Sequence, residues 1–241
     1  MTSIVSNWTL PGVGGLGGPF IGGVQKAILG TSINTSTVGV FSESGATITG
    51  SSTQTTLVVS GNDNTITSAA PGAHLQVNGT DNTVTATGAD SSVIVNGQNN
   101  NVFGTAGGDQ FLLTGTGNVT SSGPAGNTLN LSTSPGATSG VTINDFRSGV
   151  DKVDVSVSLS FNHPSVQSFG ITPSSVISSG EFGPTTTGAA TTPSERFTYN
   201  QSTGNLYFDP DGSGSSQSTL IGNFTPGTSL AASDIHILNP F

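Results

Sequence analysis

The stretches LVVSGNDNTIT (57–67), LQVNGTDNTVT (75–85), VIVNGQNNNVF (93–103) and FLLTGTGNVTS (111–121) decide the fold, because each begins 18 residues after the one before it. Gly61, Gly79, Gly97 and Gly115 keep that spacing, and so do Asn64, Asn82, Asn100 and Asn118. A shorter period runs beneath it. Apolar residues recur every nine positions at Ile48, Leu57, Ile66, Leu75, Val84, Val93, Val102 and Phe111, miss at Thr120, and return at Leu129. Eighteen residues with two apolar centres and two turns describe one coil of a flattened, two-sided β-solenoid.

The two sides of the coil differ. One carries an inward pair, Leu57 with Val59, Leu75 with Val77, Val93 with Val95, Phe111 with Leu113, and Leu129 with Leu131. This alternation is that of a strand with one buried face. The other side has one large residue followed by a small one, as in Ile66 then Ser68, Val84 then Ala86, and Val102 then Gly104. Large side chains opposite small ones predict a thin core, and about five coils at roughly 4.8 Å each predict a roll about 25 Å long. The fold class is therefore all-β, a parallel β-roll of 18-residue coils over 36–140. A Gly-rich apolar segment (1–35) precedes it as a cap or assembly arm, and a β-rich cap and secretion module (141–241) follows.

Composition agrees with a repetitive fold. Gly, Ser, Thr and Asn make up 124 of 241 residues, while charged residues are 7%. Glycine at this frequency without a three-residue period is not collagen. The net charge of −9 predicts no nucleic-acid partner, and the four bases (Lys26, Arg147, Lys152, Arg196) all lie outside 27–146. With no cysteine there is neither a disulfide framework nor a thiolate metal site. The stretch Leu10–Leu29 is apolar but broken by glycines, so no membrane span is expected. No basic segment precedes Lys26, so no amino-terminal secretory signal is expected.

The segment Gly104-Thr105-Ala106-Gly107-Gly108-Asp109-Gln110-Phe111 is close to the calcium-binding β-roll nonapeptide G-G-x-G-x-D-x-U-x. With TINDFRSGVDKVDVS (142–156) and RFTYNQSTGNLYFDPDGSGSSQSTLIGNF (196–224), it resembles the RTX (hemolysin-type calcium-binding repeat) proteins. The likeness covers about 100–241, and the repeats before Val102 are degenerate relatives. The resemblance implies a bacterial protein exported by the type I secretion apparatus to the cell surface or medium. The apolar end DIHILNPF (234–241) would serve as its uncleaved signal. It also implies Ca2+ held between turns of neighbouring coils by main-chain carbonyls and the repeat Asp, here Gly104, Ala106, Gly107 and Asp109.

Calcium needs six to eight oxygens, with carboxylates supplying the charge. At the positions equivalent to Asp109 the sequence has Ala73, Ser91 and Asn127, and the opposite edge has only asparagines. Most such sites are therefore expected to be lost, with the asparagines forming a stacked amide ladder. Asp63 and Asp81 should stack on adjacent coils as solvated turn acids, and Asp90 neighbours the coil of Asp109. Asp145, Asp151 and Asp154 stand where the roll meets the last module, either holding a capping ion or pairing with Arg147 and Lys152. Asp209-Pro210-Asp211-Gly212-Ser213-Gly214 begins like a calcium loop, with Asn200 and Asn205 as further oxygen donors. The same residues also read as an Asp-Gly turn between two strands.

No enzyme is expected. His74, His163 and His236 form no H-E-x-x-H, no G-x-S-x-G occurs, and His74 reads as a turn residue. The leading expectation is a calcium-binding structural protein that associates with itself as fibre, sheet or surface layer, or that adheres. A monomeric calcium-dependent module for cell-surface glycans is the alternative. A further reading rests on Thr47-Ile48-Thr49, Thr65-Ile66-Thr67 and Thr83-Val84-Thr85. These outward threonine columns resemble the ice-binding face of some solenoid antifreeze proteins, and they stop at Asn101 and Phe103.

Overall fold

A computed structural model describes residues 32–35, 38–42, 44–50, 52–53, 56–132, 140–156 and 175–238. The first strands among the described residues are β1 (Ser32–Thr35), β2 (Val38–Ser42), β3 (Thr47–Gly50), β4 (Thr56–Ser60), β5 (Thr65–Ser68), β6 (His74–Thr80) and β7 (Thr83–Ala86). It continues through β8 (Ser92–Gln98), β9 (Asn101–Gly104), β10 (Gln110–Thr114), β11 (Thr116–Ser121), β12 (Thr128–Ser132), β13 (Gly140–Asn144) and β14 (Lys152–Ser156). Then follow β15 (Ser175–Val176), β16 (Phe182–Pro184), β17 (Phe197–Asn200), β18 (Asn205–Phe208), β19 (Thr219–Phe224) and β20 (Ile235–Leu238). Odd-numbered strands up to β13 pair side by side in a first sheet, and even-numbered strands up to β14 in a second. The molecule is a parallel β-solenoid.

The register is the sequence period made visible. Leu57 lies beside Leu75, Leu75 beside Val93, and Val93 beside Phe111, while in the first sheet Ile48, Ile66, Val84 and Val102 are successive neighbours. All of these side chains are buried. Thr120, the miss in the nine-residue period, is nevertheless an inward position with its hydroxyl shut away from solvent. Thinness of the core is evident at Gly104, where an added Cβ would lie 2.7 Å from the Phe111 ring. Aligned parallel strands bury such rows against each other across two sheets.

Among the described residues seven coils run in order through β13 and β14, more than the five expected, and an eighth comes from farther along the chain. β19 lies parallel to β13 through Asn223 and Phe224, and β20 lies parallel to β14 from Ile235 to Leu238. Residues 219–238 thus extend the same two sheets, and one continuous core runs from Phe41 to Ile237. Beyond β19 the first sheet turns antiparallel through β18 and β17, with β16 outermost. Aromatic rings fill this end. Phe224 meets Phe146 and Tyr199 edge-on at 5.2 and 5.9 Å, and Tyr199 donates its hydroxyl to the Thr228 carbonyl. Most of the amino-terminal segment 1–35 lies outside the described residues, as does 157–174 with His163. Among the described residues no helix is long and apolar enough to cross a membrane.

Candidate functional site

Two polar ladders run along the corners of the roll. In the first, the Asn64, Asn82, Asn100 and Asn118 side chains are buried, and each Oδ1 accepts the backbone N–H one coil back. These bonds span 2.9–3.0 Å. The Asn82, Asn100 and Asn118 Nδ2 groups donate to the carbonyls of Gly61, Gly79 and Gly97, all at 3.0 Å. The amide ladder is therefore present, and it explains the paired G-x-x-N spacing, because the glycine supplies the carbonyl that receives the next coil's amide. Buried amides without such partners would be costly.

The turn acids answer to a different requirement. Asp63, Asp81 and Asp90 adopt φ of 58°, 58° and 59°. Gly45, Asn99 and Gly117 occupy the first two acids' column at other coils, and Gly72 and Gly108 occupy that of Asp90. A left-handed backbone favours Gly, Asn and Asp, so these exposed acids serve the turn conformation. The Asp90 carboxylate lies over Gly108, where a Cβ would come within 2.1 Å of its Oδ1.

The second ladder runs through Ser91, Asp109, Asn127 and Asp151. Asp109 Oδ1 accepts Ser91 N–H at 2.8 Å, Asn127 Oδ1 accepts Asp109 N–H at 2.8 Å, and Asp151 Oδ1 accepts Asn127 N–H at 3.0 Å. Asn127 also donates through Nδ2 to the carbonyls of Ser122 and Ala125. Asp109 holds an acid where its neighbour holds an amide. It is 0% exposed, its Oδ2 has no hydrogen-bond partner, and burial, joined by the Asp90 charge, pushes its carboxyl up to about 6. Two of the groups that the resemblance offers to calcium here are already engaged, since Gly107 O accepts Asp90 N–H at 3.0 Å and Asp109 Oδ1 serves Ser91. Asp109 Oδ2, buried and without a partner, is open to a cation or a proton. Gly104 is buried beside it, and Ala106 is half-buried in the turn.

The acids at the end of the roll do not converge. Asp151 is buried and closes the second ladder, with Oδ2 accepting Arg147 N–H at 2.8 Å and Arg147 Nε 3.6 Å away. Asp145 is an exposed left-handed turn residue, with φ of 59°. Asp154 points out of β14 beside His236, and burial raises its carboxyl, offset in part by His236 and Lys152. Among the described residues no three His, Asp or Glu side chains group as a metal site. Asp234 stands outside every candidate metal motif of the sequence. It is buried and accepts Ser148 Oγ–H at 2.6 Å with Gly149 and Ala231 N–H at 2.8 Å, fastening the eighth coil to the turn between β13 and β14. Its only sequence signal was an acid directly ahead of the apolar run IHIL.

The loop 209–218 joins β18 to β19 as a hairpin. Asp209 is buried, and burial raises its carboxyl above the usual range. Its Oδ1 accepts Asp211 N–H at 3.3 Å. Asp211 Oδ2 accepts Ser216 N–H at 3.1 Å, a bond that lowers its carboxyl, while Asp211 Oδ1 is buried without a partner. A Cβ at Gly214 would fall 2.1 Å from Asp211 Oδ2, so the loop closes tightly on the carboxylate. Two adjacent carboxylates with an unserved oxygen fit a hard cation. Asn200 and Asn205 do not contribute as expected. They pair at the far end of the β17–β18 hairpin from Phe208, and Asn200 Oδ1 is engaged by Ser202 and Thr203. His74 is likewise placed differently, as the first residue of β6 rather than in a turn.

The outer faces of the sheets carry no acid or base between β3 and β12 apart from His74. The second sheet presents a central column of Val40, Val58, Gln76, Ile94 and Leu112, all half-buried, between a row of Thr56, His74, Ser92 and Gln110 and a row of Ser60, Asn78, Asn96 and Thr114. The flanking row includes its own short ladder, in which Asn96 Nδ2 donates to Asn78 Oδ1 at 2.9 Å and Thr114 Oγ1 donates to Asn96 Oδ1 at 2.7 Å.

A family model described as "Protein of unknown function (DUF3060)" matches residues 59–118. The matched span ends on Asn118, the last rung of the first ladder. No curated protein and no solved structure matches the chain.

Proposed function

We propose that this chain is an exported, calcium-binding structural protein of the bacterial surface or extracellular matrix that associates with copies of itself. The observation that carries the reading is the column Val40, Val58, Gln76, Ile94 and Leu112, aliphatic on both sides of Gln76 and set in register on an otherwise polar and nearly uncharged sheet face. A partly exposed apolar stripe rimmed by polar residues is the pattern of an association surface. Its periodic columns let a second copy, turned about a twofold axis, meet the same surface. Calcium is supported by the Asp209–Asp211 loop, whose unserved oxygen and paired carboxylates a divalent ion would satisfy. Export through the type I apparatus rests on the likeness of residues 196–224 to the carboxy-terminal module of RTX proteins.

Sedimentation and negative-stain microscopy of the full chain, with millimolar calcium and again in EGTA, test this. Ordered assemblies that dissolve in Ile94→Lys with Leu112→Lys, while its β-sheet circular dichroism stays native, are the expected result. Dispersed monomers of the native chain under both conditions would sink the assembly reading and turn attention to glycan ligands of a monomeric module. For the loop, Asp209→Ala with Asp211→Ala should abolish most calorimetric calcium binding. Undiminished binding in that variant would place the ion elsewhere.

A further inference from the structure

The outer face of the first sheet differs from that of the second. Thr47, Thr65 and Thr83 are direct neighbours on β3, β5 and β7, and Thr49, Thr67 and Thr85 form a second column two residues along the strand. The residue between each pair, Ile48, Ile66 or Val84, is 0% exposed, so all six threonines face outward. Successive rungs are roughly 4.8 Å apart, and the two columns are about 6.7 Å apart along the strand. Each threonine carries one hydroxyl, both donor and acceptor, beside one methyl. Branching at Cβ restricts each side chain to few rotamers, so the array is held fixed before anything binds. The neighbouring acids Asp63 and Asp81 stand at the turn beyond the strand ends.

We propose that this two-by-three threonine array binds ice. The strands of this face, β3, β5 and β7, carry no charged residue to attract an ionic ligand. A neutral partner that is itself a flat lattice of donors and acceptors, repeating every few ångströms, can engage all six hydroxyls together while the methyls sit between its waters. The borders are set by side chains that break the pattern. Asn101 and Phe103 follow in the same two columns on β9, and Phe103 is 39% exposed. Its ring stands where the next threonine would have to be.

The test is independent of the assembly surface on the other sheet. The full chain should show thermal hysteresis and shape ice crystals. Thr65→Tyr with Thr83→Tyr should lose both while keeping the native melting temperature, because the replaced side chains point outward. Asn101→Thr with Phe103→Thr lengthens the array by one coil and should increase the hysteresis. Absence of hysteresis and shaping in the native chain would overturn the proposal, as would activity that survives the tyrosine pair in a folded variant. A change of sedimentation on introducing the tyrosines, without any effect on ice, would mark the face as a contact between copies and would also overturn it.

Discussion

Replacing Gly97 by alanine is expected to destabilise the protein by at least about 3 kcal/mol, on the order of 10 °C in melting temperature. Gly97 has φ of 135°, and a Cβ there would lie 1.9 Å from the Gly79 carbonyl oxygen of the preceding coil. That same oxygen receives Asn100 Nδ2, so moving it away also breaks the amide ladder. Gly79 and Gly115 stand in the identical relation to Gly61 and Gly97, so the effect belongs to the whole column. Gly72→Ala is the control. It also has positive φ, 66°, but nothing lies within 4 Å of its added methyl, so the loss should be only about 1–2 kcal/mol. Equal losses in the two variants, read by thermal and urea unfolding, would refute the close-approach argument.

Asp109→Asn is expected to stabilise the protein at neutral pH. A carboxyl that titrates at about 6 when folded and near 3.8 when unfolded favours the fold fully below pH 3.8, and this advantage is lost as the pH rises through 6. At pH 7.5 the buried carboxylate then costs about 3 kcal/mol relative to acid. An amide at this position keeps the oxygen that accepts Ser91 N–H. By analogy with Asn127, which donates to the carbonyls five and two residues before it, the new Nδ2 would reach those of Gly104 and Gly107. In EGTA, the native chain should melt higher at pH 5 than at pH 7.5, and the variant should lose most of that difference while melting higher at pH 7.5. A residual slope is expected from Asp154 and Asp209, whose carboxyls are also raised. An unchanged pH dependence in the variant would show that Asp109 is not the group responsible. Calcium that restores the native chain's neutral-pH stability, but not the variant's, would assign Asp109 Oδ2 to an ion.

The solenoid itself was legible before any coordinates, because its cause is local and repeated. Alternation places Leu75 and Val77 inside, and the 18-residue step places Leu75 next to Leu57 and Val93. The asparagine ladder was legible for the same reason, since four equal residues at equal positions stack in any regular coil. The acidic positions were harder to read. Asp63 and Asp109 look alike in composition, yet one is an exposed left-handed turn residue and the other is sealed in a corner. A one-position offset within the turn makes that difference.

What the sequence determined by itself is the part of the fold in which each residue's neighbours are copies of its own repeat. Period, register, inward and outward faces and the threonine columns all follow from one rule applied every 18 residues. Tertiary structure alone decided what depends on contacts between unrelated segments. It brought residues 219–238 back to form an eighth coil, set Asp234 against Ser148 and Gly149 some 85 positions away, and kept Asp145, Asp151 and Asp154 apart. It also carried Asn200 and Asn205 to the far end of a hairpin from Asp209. No period reaches across such separations, so these placements rest on packing of the aromatic end and on hydrogen bonds that only the closed chain can make.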